Sequence, residues 1–317
     1  MQSGKRGSIL ILALWVLFFL AALTVAAAGH VWAVLQAAER LQSRVEARME
    51  AGSAAAWAVA VLAEQTQKTN ETNVWDGVSA DAWNRNVRLF SFVRQDHAQI
   101  DDAVYFVMPD DDERYGGIIG ESGRLHLNSR NPELLKRLFA HVGGTSGAQL
   151  GDTLFRVSDD GDGGLTGRGN GAYDRQVFEA VEDLLLVEGV DAALYAKVAP
   201  HLTVYGNSDV VNVNSATHAV LVAYLMATDD PDIASRAEQF ADQIIAVRRE
   251  RGFAGRQDFE ERLPELSGGI WSRWPMGIAS TAFRGIAVGG DRGGETGLEI
   301  EFVWDTITRQ YVVWRER

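Results

Sequence analysis

The sequence predicts an α+β fold: one very long N-terminal helix, a small antiparallel sheet, and a large α-helical domain inserted between the early and late strands. Three observations carry this. From Ile9 to Gln67 no proline interrupts a helix-forming composition. Residues 131–266 hold several stretches with apolar positions three and four apart, the signature of helices with one buried face. The end of the chain turns to alternation, in TAFRGIAVGG, GLEIEFVWD and RQYVVWRER, which reads as two or three antiparallel strands.

Residues 1–7 form a short basic leader, with Lys5 and Arg6 just before Gly7. From Ile9 to Ala28 the only polar side chain is Thr24, and these 20 residues cover a hydrocarbon core of about 30 Å at 1.5 Å rise per residue. The next formal charges are Glu39 and Arg40, so the positive-inside bias keeps the N-terminus in the cytoplasm and exports the body. A cleaved signal peptide is the alternative, with Ala26, Ala27 and Ala28 as the cut site. Against it, the helical pattern continues: Val31, Val34, Leu35, Ala38, Leu41, Val45 and Met49 keep helical spacing, with Glu39, Arg40, Gln42, Arg44, Glu46 and Arg48 between them. Residues 8–67 are therefore expected to form one membrane and stalk helix.

Residues 68–130 are expected to supply the first part of the α/β frame. AVYFVMPDDDERYGGIIGESGRLHLNS reads as two short strands around an acidic turn. Residues 131–270 are the expected helical insertion, with helices in NPELLKRLFAHV, QVFEAVEDLLLV, DAALYAKVAPHL, SATHAVLVAYLMA and ASRAEQFADQIIAVRRERG. Asn131 before Pro132 fits an N-cap, and Ser215 or Asn214 is expected to cap the helix containing Val220 and Leu221. Residues 271–317 return to the sheet, with GGDRGGETG as a hairpin loop.

Composition excludes several functions. There is no cysteine, which removes disulfides, thiolate metal sites and cysteine nucleophiles. A formal charge of −13 repels phosphate backbones, so no nucleic-acid partner is expected, although VNVNSATHAVLVAYL and the helix after it have a helix-hairpin-helix look. The six histidines show no HExxH or H-x-x-x-H pair, and the linear pattern predicts no zinc site. With no G-x-S-x-G elbow, no catalytic residue is assigned and no enzyme is expected.

One segment could hold a cation. Residues 158–174 gather Asp159, Asp160, Asp162, Asn170 and Asp174 among glycines, and hard oxygen ligands on a pliable loop suit calcium. The spacing is not that of an EF-hand, and the segment also reads as a solvated acidic loop.

The basic leader ending in glycine, the unbroken apolar run and the continuing amphipathic helix resemble the leader of type IV pilins and type II secretion pseudopilins. The resemblance implies cleavage after Gly7 by a prepilin peptidase, methylation of Ser8 and retention of the apolar helix. Most members carry glutamate at the fifth mature position; counted from Ser8, that position here is Leu12. The K-type minor pseudopilins are the exception. Residues 120–129, GESGRLHLNS, resemble a turn of that family, with His126 in place of its first asparagine, and residues 180–221 are the strongest match to the K-type. The whole is similar to the GspK family, which implies a pilin-like frame, an acidic calcium-binding loop, I- and J-type minor pseudopilin partners, docking on the type II secretion inner-membrane platform, and a place at the pseudopilus tip marked by Leu12. A minor pilin of a type IV pilus, or a signal-anchored exported acidic binding protein, are the alternative readings.

Overall fold

The computed structural model describes residues 6–69, 103–107, 114–129, 132–154, 178–206, 210–266, 270, 276–278, 280–290 and 297–317. Helix α1 (Arg6–Thr69) runs for 64 residues, about 96 Å at 1.5 Å per residue. Its C-terminal part packs on one face of an antiparallel sheet made of β1 (Val104–Val107), β2 (Arg114–Gly116), β3 (Ile119–Gly120), β8 (Ala282–Gly289), β9 (Leu298–Asp305) and β10 (Gln310–Glu316). The strand order is β10-β9-β8-β1-β2, with β3 also pairing with β8. Strands from before and after the helical insertion thus meet at β8, where Val104 faces Ala287 and Ile119 faces Arg284.

Small side chains set the fit of helix on sheet. Ala47, Ala51, Ala55 and Ala58 recur at helical spacing and are fully buried with Val59 and Leu62 against Val104, Ile118, Phe283, Ala287, Ile300 and Phe302. Alanine lets the helix axis come close to the strands, and Gly289 completes the approach. A Cβ at that position would stand 1.8 Å from the Ala47 carbonyl oxygen and 2.7 Å from the Ala51 nitrogen. The Gly290 N–H donates to the Glu50 carboxylate at 2.9 Å, and Arg48 meets Glu316 of β10 at 2.6 Å.

The insertion contains α2 (Pro132–Leu154), α3 (Ala192–Val198), α4 (His218–Met226), α5 (Pro231–Ser235), α6 (Ala237–Glu250) and α7 (Arg256–Arg262). Helix α4 lies at its centre: every residue from Ala219 to Leu225 is buried, as expected for a helix apolar on all sides. Around it pack Leu135, Leu138 and Phe139 of α2, Phe240 and Ile244 of α6, and the ring pair Phe253 and Phe259. This core also takes in Leu125 and Leu127 on one side and Met276 and Ile278 on the other, so its packing reaches beyond residues 131–270 at both ends. Two parallel strand pairs bind these flanks to the domain, β4 (Leu125–His126) with β5 (Leu202–Thr203) and β6 (Val211–Asn212) with β7 (Met276–Gly277).

Two local expectations are corrected. Among the described residues of QVFEAVEDLLLV, Val181–Leu186 forms a 3-10 stretch instead of the predicted helix. The Asp183 carboxylate folds back to accept from the Glu179 and Ala180 N–H groups at 2.8 and 2.9 Å, which fixes the start of this short stretch. The cap of α4 is Thr217, whose hydroxyl accepts from the Val220 N–H, rather than Ser215 or Asn214. Asn214 is engaged elsewhere, accepting from the Phe253 N–H at 2.8 Å and donating to the Phe253 carbonyl at 2.9 Å. The proposed cap Asn131 lies outside the described residues.

Candidate assembly surface

Helix α1 has two different faces. Residues two positions apart lie about 200° apart around a helix, so Leu41, Val45 and Met49 point away from Ser43, Ala47 and Ala51. The structure shows the consequence: Ala47 and Ala51 are sealed against the sheet, whereas Leu41, Val45 and Met49 are 65%, 55% and 68% exposed. Val31, Val34 and Leu35 continue the exposed row upward, and it runs without a break into Leu10–Leu23, where every large apolar side chain is exposed. The helix is long and apolar enough to cross a membrane. The apolar row continues past the membrane length, however, and among the described residues nothing in the chain covers it. Burial of each such side chain against a partner is worth about 1.5–3 kcal/mol.

The apolar N-terminal end of the helix carries the predicted processing residues. Gly7 and Ser8 lie in the first turns of α1, and Leu12 is 67% exposed on it. At the other end, a buried ion network joins the helical domain to the sheet. Glu121 sits in a 3-10 turn (Glu121–Gly123) between β3 and β4 with its side chain fully buried. It accepts from Arg284 of β8 at 2.7 Å and from the Thr203 hydroxyl of β5 at 2.5 Å, and Arg124 stands 3.4 Å away. Arg284 also pairs with Glu301 of β9, which in turn pairs with Arg317. At the rim Arg315 of β10 meets Glu182 at 2.9 Å.

The energetics of this network rest on pairing. Burial alone would raise the Glu121 carboxyl, but the Arg284 and Arg124 guanidinium groups and the hydrogen bonds from Arg284 and Thr203 outweigh it, holding the pKa down at about 2. Burial likewise opposes the Arg284 charge, and the Glu121 and Glu301 carboxylates reverse that, raising it above the ordinary guanidinium value. The turn fits tightly: a Cβ on Gly123 would stand 2.1 Å from the Ser215 carbonyl oxygen. With ligands from β3–β4, β5, β8 and β9, the network sets the orientation of the helical domain on the stalk-bearing sheet. Sequence reading passed over Glu121 and Arg284. Their signal was a charge inside the apolar IIGESG and an arginine in the alternating AFRGIAVG.

The predicted calcium ligands Asp159, Asp160, Asp162, Asn170 and Asp174 lie outside the described residues. Their chemistry still defines an expected outcome. An ion bound only by the folded state adds stability, so the melting midpoint should rise in millimolar calcium and fall with chelator. Coincident midpoints would reduce segment 158–174 to solvated charge.

No protein-family model matches the chain, and no curated protein matches it. Among solved structures, it is similar to a chain of the GspK-GspI-GspJ complex from the enterotoxigenic Escherichia coli Type 2 Secretion System, with a TM-score of 0.52. The match covers 90% of this chain and 99% of that one, at 13% identity. At that identity the likeness is one of fold: the long N-terminal helix, the antiparallel sheet and the inserted helices of this chain form the same α+β, pilin-like architecture.

Proposed function

We propose that this chain is a K-type minor pseudopilin of a type II secretion system, which forms the pseudopilus tip with I- and J-type minor pseudopilins and promotes pseudopilus assembly for protein export across the outer membrane. Its work is assembly rather than catalysis. A prepilin peptidase cuts it after Gly7, and Ser8 becomes the methylated terminus. The anchor crosses the inner membrane once, with the N-terminus cytoplasmic, on the inner-membrane platform, and the body periplasmic. The observation that carries this reading is the two-faced helix: one face closes the core of its own sheet, and the other offers an apolar row from the membrane to Met49 for neighbouring helices. The similar fold was solved in complex with GspI and GspJ, which supports partners of those two types.

Leu12 supports the end position. A carboxylate at this point in the apolar helix needs a cationic neighbour ahead of it, because a lone charge in the membrane costs up to about 3 kcal/mol near a helix centre. A subunit at the leading end has no such neighbour, and Leu12 removes the need for one. Crosslinking within assembled pseudopili is expected to find this chain at one end only, in a small fixed ratio to I- and J-type partners. Mass spectrometry of the membrane-extracted chain should give a methylated Ser8 terminus. A chain repeated along the shaft, or a mature terminus near Gly29, would overturn the proposal.

A further inference from the structure

The tertiary fold gathers three side chains able to ligate a metal, His141, His218 and Glu238, with Asp242 beside His218. His141 lies on α2 shortly before its kink at Gly144, His218 is the first residue of α4, and Glu238 and Asp242 stand one turn apart at the start of α6. The Glu238 carboxylate lies between the imidazoles, one oxygen 3.7 Å from His141 Nδ1 and the other 3.5 Å from His218 Nε2. Asp242 Oδ1 is 3.3 Å from the same His218 Nε2. The ligand atoms of His141, His218 and Glu238 all fall within 4.8 Å of one another.

These separations have a chemical meaning. With metal–ligand bonds of 2.0–2.2 Å, neighbouring ligands of a tetrahedral zinc ion stand about 3.4 Å apart. The contacts at 3.3, 3.5 and 3.7 Å lie near that separation, and His141, His218 and Glu238 each offer one ligand atom within 4.8 Å of the other two, so small rotamer changes would bring these three onto one ion. The backbone beneath is firm, since Leu138, one turn before His141, and Ala219, Ala237 and Ala241, adjacent in sequence to His218, Glu238 and Asp242, are all buried in the helical core. The side chains remain reachable from solvent, the imidazoles about one quarter exposed and the carboxylates more than half. Two nitrogen donors select against calcium, which takes oxygen ligands, and for zinc or its first-row neighbours.

We propose that His141, His218, Glu238 and Asp242 form a binding site for a divalent transition metal of the zinc type, which clamps α2, α4 and α6 together on the surface of the inserted domain. The proposal uses no residue of the acidic segment 158–174 and is independent of the assembly reading. Calcium in excess occupies oxygen-ligand sites and leaves this one open.

The test uses the untagged full chain in detergent micelles, freed of metal with chelator and titrated with cobalt in millimolar calcium. One equivalent should bind with the intense visible absorption of tetrahedral cobalt, and zinc should bleach it. His141→Ala and His218→Ala should each weaken binding by about 100-fold or more and remove the tetrahedral spectrum. Glu238→Gln, which preserves side-chain volume, should do the same while the metal-free variant melts with the metal-free parent. Absence of binding in the parent, or a weak octahedral spectrum unchanged in the histidine variants, would overturn the site and leave only surface pairs.

Discussion

Glu121→Ala is expected to destabilise the folded chain by about 3 kcal/mol at neutral pH, because it leaves the part-buried Arg284 with Glu301 as its remaining carboxylate partner. Arg124, half-buried, loses its nearest carboxylate in the same step. The loss should depend on pH in a defined direction. The folded pKa of Glu121 is depressed to about 2 from an ordinary value of 4.5. Its contribution is thus fully present above about pH 4.5 and disappears as pH falls towards 2. Denaturant titrations of the two proteins should accordingly converge in that window. A companion variant sharpens the point: Glu121→Leu with Arg284→Met removes both charges and should recover part of the loss, as apolar replacements of buried pairs commonly do. Equal stability of Glu121→Ala and the parent at pH 7 would show that the network does not hold the helical domain to the sheet.

The second large effect falls on association and spares folding. Leu41→Gln with Val45→Gln changes two side chains that are more than half exposed in the single chain. Surface changes of this kind usually alter stability by no more than about 0.5 kcal/mol, so the melting curve should stay in place. If the row is buried in the assembled pseudopilus, the same pair removes about 3 kcal/mol or more of apolar contact, at least ~100-fold in affinity. Co-purification with I- and J-type partners should drop accordingly. The informative comparison is Ala51→Leu on the opposite face. That substitution inserts a bulky side chain where Ala51 is fully buried against the sheet and should lower the melting midpoint. Partner binding unaffected by the Leu41 and Val45 changes would remove the row from the interface.

Periodicity exposed much of this architecture. The unbroken run from Ile9, the late alternating strands and the apolar AVLVAYL segment each became the element their pattern implied. Where the sequence misled, a local side chain had a competing use. The short helix predicted around Asp183 is a 3-10 stretch, and Asn214 clasps Phe253 instead of capping α4. The exposed row on α1 was visible as helical spacing from Val31 to Met49, but spacing alone could not say that this face lay open. The alanines on the other side, weaker as a hydrophobic signal, are the ones that met the sheet.

By itself the sequence determined the membrane-length apolar helix, the cations Lys5 and Arg6 before Gly7, the apolar Leu12, the strong negative charge and the α+β order of elements. These depend on residues near one another along the chain, and short-range composition and periodicity report them directly. Only the tertiary structure decided which face of α1 is closed, that Glu121 and Arg284 meet across the junction, and that His141 reaches His218 and Glu238. Those pairings join residues far apart in sequence, and they exist because helix and sheet packing hold distant backbones within a few ångströms. Buried polar groups also have to find partners wherever the fold delivers them, and a linear pattern carries no record of that delivery.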